Sequence, residues 1–102
     1  MSIKTIDVAV IGAGPAGFTA AVYLGRAEIE FILLEAGLPG GQLNNTEVIE
    51  NYTGFSSIEA SELIEKMSEH ALQWGGKSEY GDITRLIKNE QDLFELYTGD
   101  EL

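Results

Sequence analysis

Gly12, Gly14 and Gly17 stand in the order G-x-G-x-x-G inside VAVIGAGPAG, residues 8–17. None of the three has a functional group, so any chemistry here belongs to the backbone. Gly12 permits a tight turn, Gly14 has no Cβ to hold a bulky anion away, and Gly17 lets a following helix approach the preceding strand. A helix opening at Pro15 offers unpaired N–H groups and roughly half a positive charge to a phosphate. Proline suits that first turn, because its missing N–H would have had no partner there. The next residue that could do chemistry is Glu35, 18 positions after Gly17 and 23 after Gly12. A carboxylate at that spacing accepts hydrogen bonds from an adenosine ribose and repels a 2′-phosphate, which favours FAD or NAD over NADP. The glycine triplet alone is a weak signal. Strand, loop, helix, strand and acid in succession are a strong one.

The elements that must position these residues can be read from apolar patterning. Thr5–Ile11 is an almost unbroken apolar, β-branched run, the pattern of a strand buried on both faces of a parallel sheet. Pro15–Arg26 reads as a helix and Ile29–Leu34 as a second buried strand, completing a βαβ unit. Glu35–Glu47 is rich in glycine and asparagine and reads as a loop, and Val48–Phe55 as irregular. Ser56, three residues before Glu59, predicts a capping box opening a second helix. On that helix Leu63, Ile64, Met67, Ala71 and Trp74 share a face, and Gly75-Gly76 ends it. Lys77–Tyr80 is expected as a short strand. Asp82–Lys88 and Asp92–Thr98 are expected as two more, joined at Asn89-Glu90-Gln91. The stretch from Thr98 to Leu102 reads as a turn in mid-sheet. The expected fold class is α/β: a Rossmann-type parallel sheet of the three-layer FAD/NAD(P)-binding kind, with the start of a β-meander.

Composition narrows the partners. The chain has 102 residues, 17 acidic against 6 basic, and a net charge of −11, which argues against nucleic acid and anionic membrane surfaces. It has no cysteine, so neither disulfides nor thiolate metal sites arise within it. No signal-peptide pattern and no membrane-spanning apolar run is present, so a cytoplasmic location is expected. His70, the one histidine, has no second ligand near it in sequence and reads as a surface residue, so no metal site is expected. Glu59, Glu62, Glu65 and Glu69 make a solvated acidic face.

Four segments together sharpen the reading: GAGPAGFTAAVYLGRA (12–27), LPGGQL (38–43), TEVIENYTGF (46–55) and ELIEKMSEHALQWG (62–75). Along nearly the whole chain they resemble the N-terminal FAD domain of low-molecular-weight bacterial thioredoxin reductases. The GGQL and T-E-V-x-E-N segments are far more specific than the glycine triplet. The resemblance implies FAD at this first nucleotide-binding unit. By matching position, Gly12, Gly14, Pro15 and Ala16 line the pyrophosphate and Glu35 meets the ribose. Ala36, Gly41, Gln42 and Leu43 then follow the cofactor toward the flavin. Asn51 belongs near the isoalloxazine, and Ile83 offers backbone contacts to adenine. The side-chain amides of Gln42 and Asn51 suit the carbonyls and nitrogens of a flavin.

The sequence departs from the family at two places. Thr53 stands where proline follows the aromatic residue of E-N-[FWY]-P-G, and Gly25 stands where alanine is usual. Glycine there costs about 1 kcal/mol of helix propensity. The resemblance further implies that residues 1–102 are the first part of an FAD domain. The NADPH domain with its C-x-x-C pair and the last FAD segment lie outside it. The adenylate half-site is then present, while catalysis, and any catalytic residue, is not. In the parent enzyme NADPH reduces the flavin, which reduces a disulfide serving a thioredoxin-like protein. A ferredoxin–NADP reductase of the same architecture, with ferredoxin as partner, is the second enzyme reading; a non-catalytic adenine-nucleotide module is the third. An incomplete sheet exposes an edge, which invites a homodimer or strand exchange.

Overall fold

The computed structural model describes residues 4–98. The turn expected beyond Thr98 lies outside the described residues. The βαβ unit forms where the apolar pattern places it: β1 (Val8–Ile11), α1 (Pro15–Arg26) and β2 (Phe31–Glu35). A 3-10 turn at Gly41–Asn45 follows, then β3 (Val48–Ile49), β4 (Ile58–Glu59), α2 (Ala60–Leu72) and β5 (Lys77–Tyr80). β6 (Ile83–Lys88) and β7 (Phe94–Thr98) complete the described chain.

β1, β2 and β5 make one parallel sheet with β2 in the centre. Val8 and Val10 of β1 and Phe31 and Leu33 of β2 point to the face that both helices cover. There Phe18 and Ala21 of α1 and Ala71 of α2 close a core in which Leu33 is wholly buried. Burying Leu33 contributes about 2 kcal/mol. A second cluster, Ile49, Ile58, Ala60 and Leu63, sits under the first turns of α2, and Met67 joins the two.

Several elements differ from the sequence reading, each for a tertiary reason. β1 starts at Val8 instead of Thr5, and it is half-buried, with Ile11 54% exposed. Among the described residues it stands at the edge of the sheet and the helices cover only one of its faces, so the apolar run is not buried on both. β2 starts at Phe31, not Ile29, because residues 27–29 terminate α1. The Glu28 N–H donates to the Gly25 carbonyl and the Ile29 N–H to the Leu24 carbonyl, with Glu28 at φ +60°. That is a Schellman closure with glutamate where glycine is usual.

The expected capping box does not form. Ile58–Glu59 pairs antiparallel with Val48–Ile49, a segment expected to be irregular, and buries Ile58 against Ile49. α2 therefore starts at Ala60, whose N–H finds the Glu47 carbonyl at 2.9 Å. A long-range ladder and a buried isoleucine pair outweigh a local serine cap. α2 ends at Leu72, so Trp74 lies past the apolar stripe. The indole is 44% exposed and rests against α1 at Gly25, where an alanine Cβ would stand 3.2 Å from it. This close contact accounts for glycine at position 25.

β6 and β7 form an antiparallel hairpin closed over residues 89–93, longer than the turn expected from sequence, so β7 starts at Phe94. Asn89 organises that turn, its Oδ1 accepting the N–H groups of Gln91 and Leu93. The described chain is elongated, 50 × 29 × 19 Å. Among the described residues, no helix is long and apolar enough to cross a membrane.

Candidate functional site

β1 runs directly into the glycine loop. The Gly12 N–H continues the β1–β2 ladder to the Leu34 carbonyl at 2.8 Å, and Gly12 then turns at φ +107°, a conformation open to glycine. Ala13 is fully buried beneath the loop. Gly14 caps α1 with no side chain bonded to the helix end. The first-turn N–H groups of Gly14, Ala16 and Gly17 have no intrahelical partner and point outward along the helix axis. A Cβ at Gly17 would collide with the carbonyl oxygen of Gly12, so only glycine lets α1 start this close to β1.

The facing wall comes from the 3-10 turn. Gly14, Pro15, Ala16 and Gly17 line one side of a groove of about 600 Å³, together with Gly12 and Ile11. Gly41, Gln42 and Leu43 line the other. The two walls touch through backbone: a Cβ on Gly41 would lie 3.3 Å from the Gly14 Cα. Leu43 also packs on the Ile49–Leu63 cluster, which ties this wall to α2.

Glu35 closes β2 beside the loop. Its Oε1 accepts the Ala13 N–H at 2.8 Å and its Oε2 the Gly37 N–H at 2.8 Å. These bonds, the one from Ala13 first and the one from Gly37 next, hold the carboxyl below its ordinary value of 4.5; partial burial opposes them. The carboxylate is thus ionised at the mouth of the loop, with further lone pairs available to a sugar hydroxyl. The Glu35 carbonyl accepts the Gly81 N–H at 3.0 Å, bringing Ile83, the first residue of β6 and two residues past Gly81, to the same end of the sheet.

Eight of the residues singled out from sequence therefore line one groove: Gly12, Gly14, Pro15, Ala16, Gly17, Gly41, Gln42 and Leu43. Glu35 stands against the loop, with Ala36 exposed beside it. Ile83 is half-buried at the same sheet end. Asn51 is exposed beyond β3 and does not line the groove. Sequence reasoning passed over Ile11, Ala13 and the α2 residue Ile64. Alanine inside the glycine motif was the available sign for Ala13. Ile64 gave none beyond its apolar stripe. His70 is exposed and packs its ring on Trp74 at 5.9 Å. Among the described residues, no cluster of histidine, aspartate and glutamate is placed to hold a metal.

A parallel β1–α1–β2 unit, a glycine loop at the helix N-terminus and an acid closing the second strand define the Rossmann-type nucleotide-binding class. Within that class, the chain belongs to the pyridine nucleotide-disulphide oxidoreductase family, whose model matches residues 6–99. It is 52% identical over 88 residues to a thioredoxin reductase of Bacillus subtilis, covering 86% of this chain and 28% of that protein. Its fold superposes on the crystal structure of Lactococcus lactis thioredoxin reductase with a TM-score of 0.86 and 45% identity, over 94% of this chain and 31% of that one. The T. acidophilum thioredoxin reductase structure gives a TM-score of 0.83 at 36% identity, with 94% and 31% covered. The chain thus spans less than a third of the length of these relatives.

Proposed function

We propose that this chain carries the site for the adenosine diphosphate half of FAD in a thioredoxin-reductase-like flavoprotein. One observation carries the reading: the Glu35 carboxylate is bonded to the Ala13 N–H, so an acid able to accept hydrogen bonds from a ribose stands beside the unpaired amides that open α1. The pyrophosphate would lie against Gly14, Ala16 and Gly17, the ribose against Glu35, and the adenine near Ile83. Gly41, Gln42 and Leu43 lead away from the helix end toward the flavin. The choice of FAD over NAD rests on the similarity to thioredoxin reductases. Asn51 is proposed to sit near the isoalloxazine.

The groove fits such a group. It is walled by small residues, and no charged side chain lines it. An anion there is held by backbone N–H groups and the helix dipole alone. When bound, FAD supplies two-electron transfer between NADPH and a disulfide. The dithiol so formed would reduce the disulfide of a thioredoxin-like partner, in a parent enzyme proposed to be cytoplasmic. The protein's part here is to seat and orient the adenylate end.

The test is a thermal-shift and absorbance experiment on the 102-residue chain. FAD and ADP are both expected to raise the melting temperature, and NADP much less, because Glu35 repels its 2′-phosphate. Bound FAD should also show a perturbed flavin absorbance. No shift with either FAD or ADP defeats the reading. A shift with ADP and none with FAD turns it into that of an adenine-nucleotide module.

A further inference from the structure

Ala13 is held from both sides. Its N–H donates to Glu35 Oε1 at 2.8 Å, and its carbonyl accepts the Gly40 N–H at 2.6 Å. Gly40 is itself fixed: it is buried, it turns at φ +118°, and a Cβ on it would run into the Ile64 side chain of α2. The second carboxylate oxygen of Glu35 ties in the Gly37 N–H, on the way to that same loop. Each of these bonds is made between groups of the chain itself. They join the end of β2 and the loop before the 3-10 turn to one residue, Ala13, while Ile64 packs α2 against that loop at Gly40.

We propose that Glu35 is a positioning residue for the anion-binding amides: together with Gly40 it clamps Ala13, so the glycine loop is set in its binding shape before any ligand arrives. This goes beyond contact with a sugar, and it rests on the proposed nucleotide site. A preorganised loop loses little conformational freedom on binding, which raises affinity without adding a contact.

The proposal has an electrostatic signature. A carboxylate beside an anion site repels the anion, so if repulsion were its only influence there, removing it would tighten binding of inorganic pyrophosphate. Pyrophosphate has no ribose, so sugar contacts do not enter. The clamp predicts the opposite sign. Glu35→Ala should weaken pyrophosphate about tenfold or more, the scale of losing a hydrogen bond to a charged group. Glu35→Gln keeps an oxygen for the Ala13 N–H and should stay within about threefold of the parent. Hydrogen exchange read without ligand should show the Ala13 amide protected in the parent and the glutamine variant. It should exchange fast in the alanine variant, while α2 amides such as Leu63 are unchanged.

Pyrophosphate bound as tightly or more tightly by Glu35→Ala, with Ala13 still protected, overturns the clamp. If the alanine variant loses protection throughout, the glutamine variant decides. A protected Ala13 with near-parent affinity supports the clamp, and an unprotected Ala13 with unchanged affinity overturns it. If the parent binds neither pyrophosphate nor ADP, the nucleotide reading fails. The ligand-free exchange of Ala13 still judges the clamp separately.

Discussion

The βαβ half of the molecule and the β6–β7 hairpin are built on different terms. Residues 8–35 share a core with α2, in which Ala13, Ala21 and Leu33 are fully buried. The hairpin has no buried residue; Leu86 is 56% exposed and Phe94 64%. Its order comes from the β6–β7 ladder and from side-chain contacts within the hairpin. Arg85 lies over the Tyr97 ring at 5.2 Å, and the Tyr97 hydroxyl donates to Glu95 at 3.0 Å. An isolated two-stranded hairpin of this kind is marginal in water. The contrast shows where a groove lined by backbone can be kept. Amides bind an anion well only if they do not move, so they belong where side chains are packed densely around them, as at Ala13.

The largest expected effect tests this contrast directly. Leu33→Ala should cost about 3 kcal/mol and lower the melting temperature by more than about 10 °C. Leu96→Ala, on the half-buried middle of β7, should cost less than about 1 kcal/mol. Thermal unfolding with circular dichroism measures both. Equal losses would show that the hairpin is as much a part of the core as β2, and the comparison would fail.

Acid and base separate the two regions in a second way. Glu35 is held below its ordinary 4.5 by the Ala13 and Gly37 amides, so the folded state binds fewer protons there than the unfolded one. Its contribution is present above 4.5 and is lost as pH falls through the lower folded value. Tyr97 is shifted the other way. Its hydrogen bond to Glu95, followed by burial, raises it above 10.0. The folded state keeps that proton longer, so stability from Tyr97 is present below 10.0 and is lost as pH rises through the higher folded value. Glu35→Gln should therefore flatten only the acid side of a melting-temperature profile against pH, and Tyr97→Phe only the alkaline side. A change on the alkaline side in the glutamine variant would mean the regions are coupled.

These regions were also unequally legible from sequence. The glycine loop, α1 and the acid that closes β2 are local patterns with few rivals, and α1 has the expected bounds from Pro15 to Arg26. The hairpin was legible too, because alternation around an asparagine turn is local. Pairings across long stretches were hidden. Ser56 and Glu59 make a good cap on paper, but the sequence does not say that Ile58 will pair with Ile49. Nor does it say that β1 stands at the edge among the described strands, since that depends on which strands lie beside it. Glu35 was legible as an acid closing β2 beside the glycine loop, the position proposed for a sugar ligand. Its bond to an amide 22 residues back needed the folded chain.

The smallest expected effect asks whether packing around α1 is tight everywhere. Gly25→Ala gains about 1 kcal/mol of helix propensity, and alone it would count as a simple stabilising change. Here the new methyl meets Trp74 at 3.2 Å, at both Cβ and Cε3. The indole is half-exposed and followed by Gly75, so it can move, but moving it loosens its contact with α1. The two terms nearly cancel, and the single variant should change stability by less than about 0.5 kcal/mol. With Trp74→Gly already in place neither the Cβ nor the ring is there to meet the methyl, and the same change should then gain about 1 kcal/mol. The difference between these two backgrounds, read by denaturant unfolding, is the coupling between the positions. A coupling near zero would mean that the indole does not crowd position 25, and glycine there would need another cause.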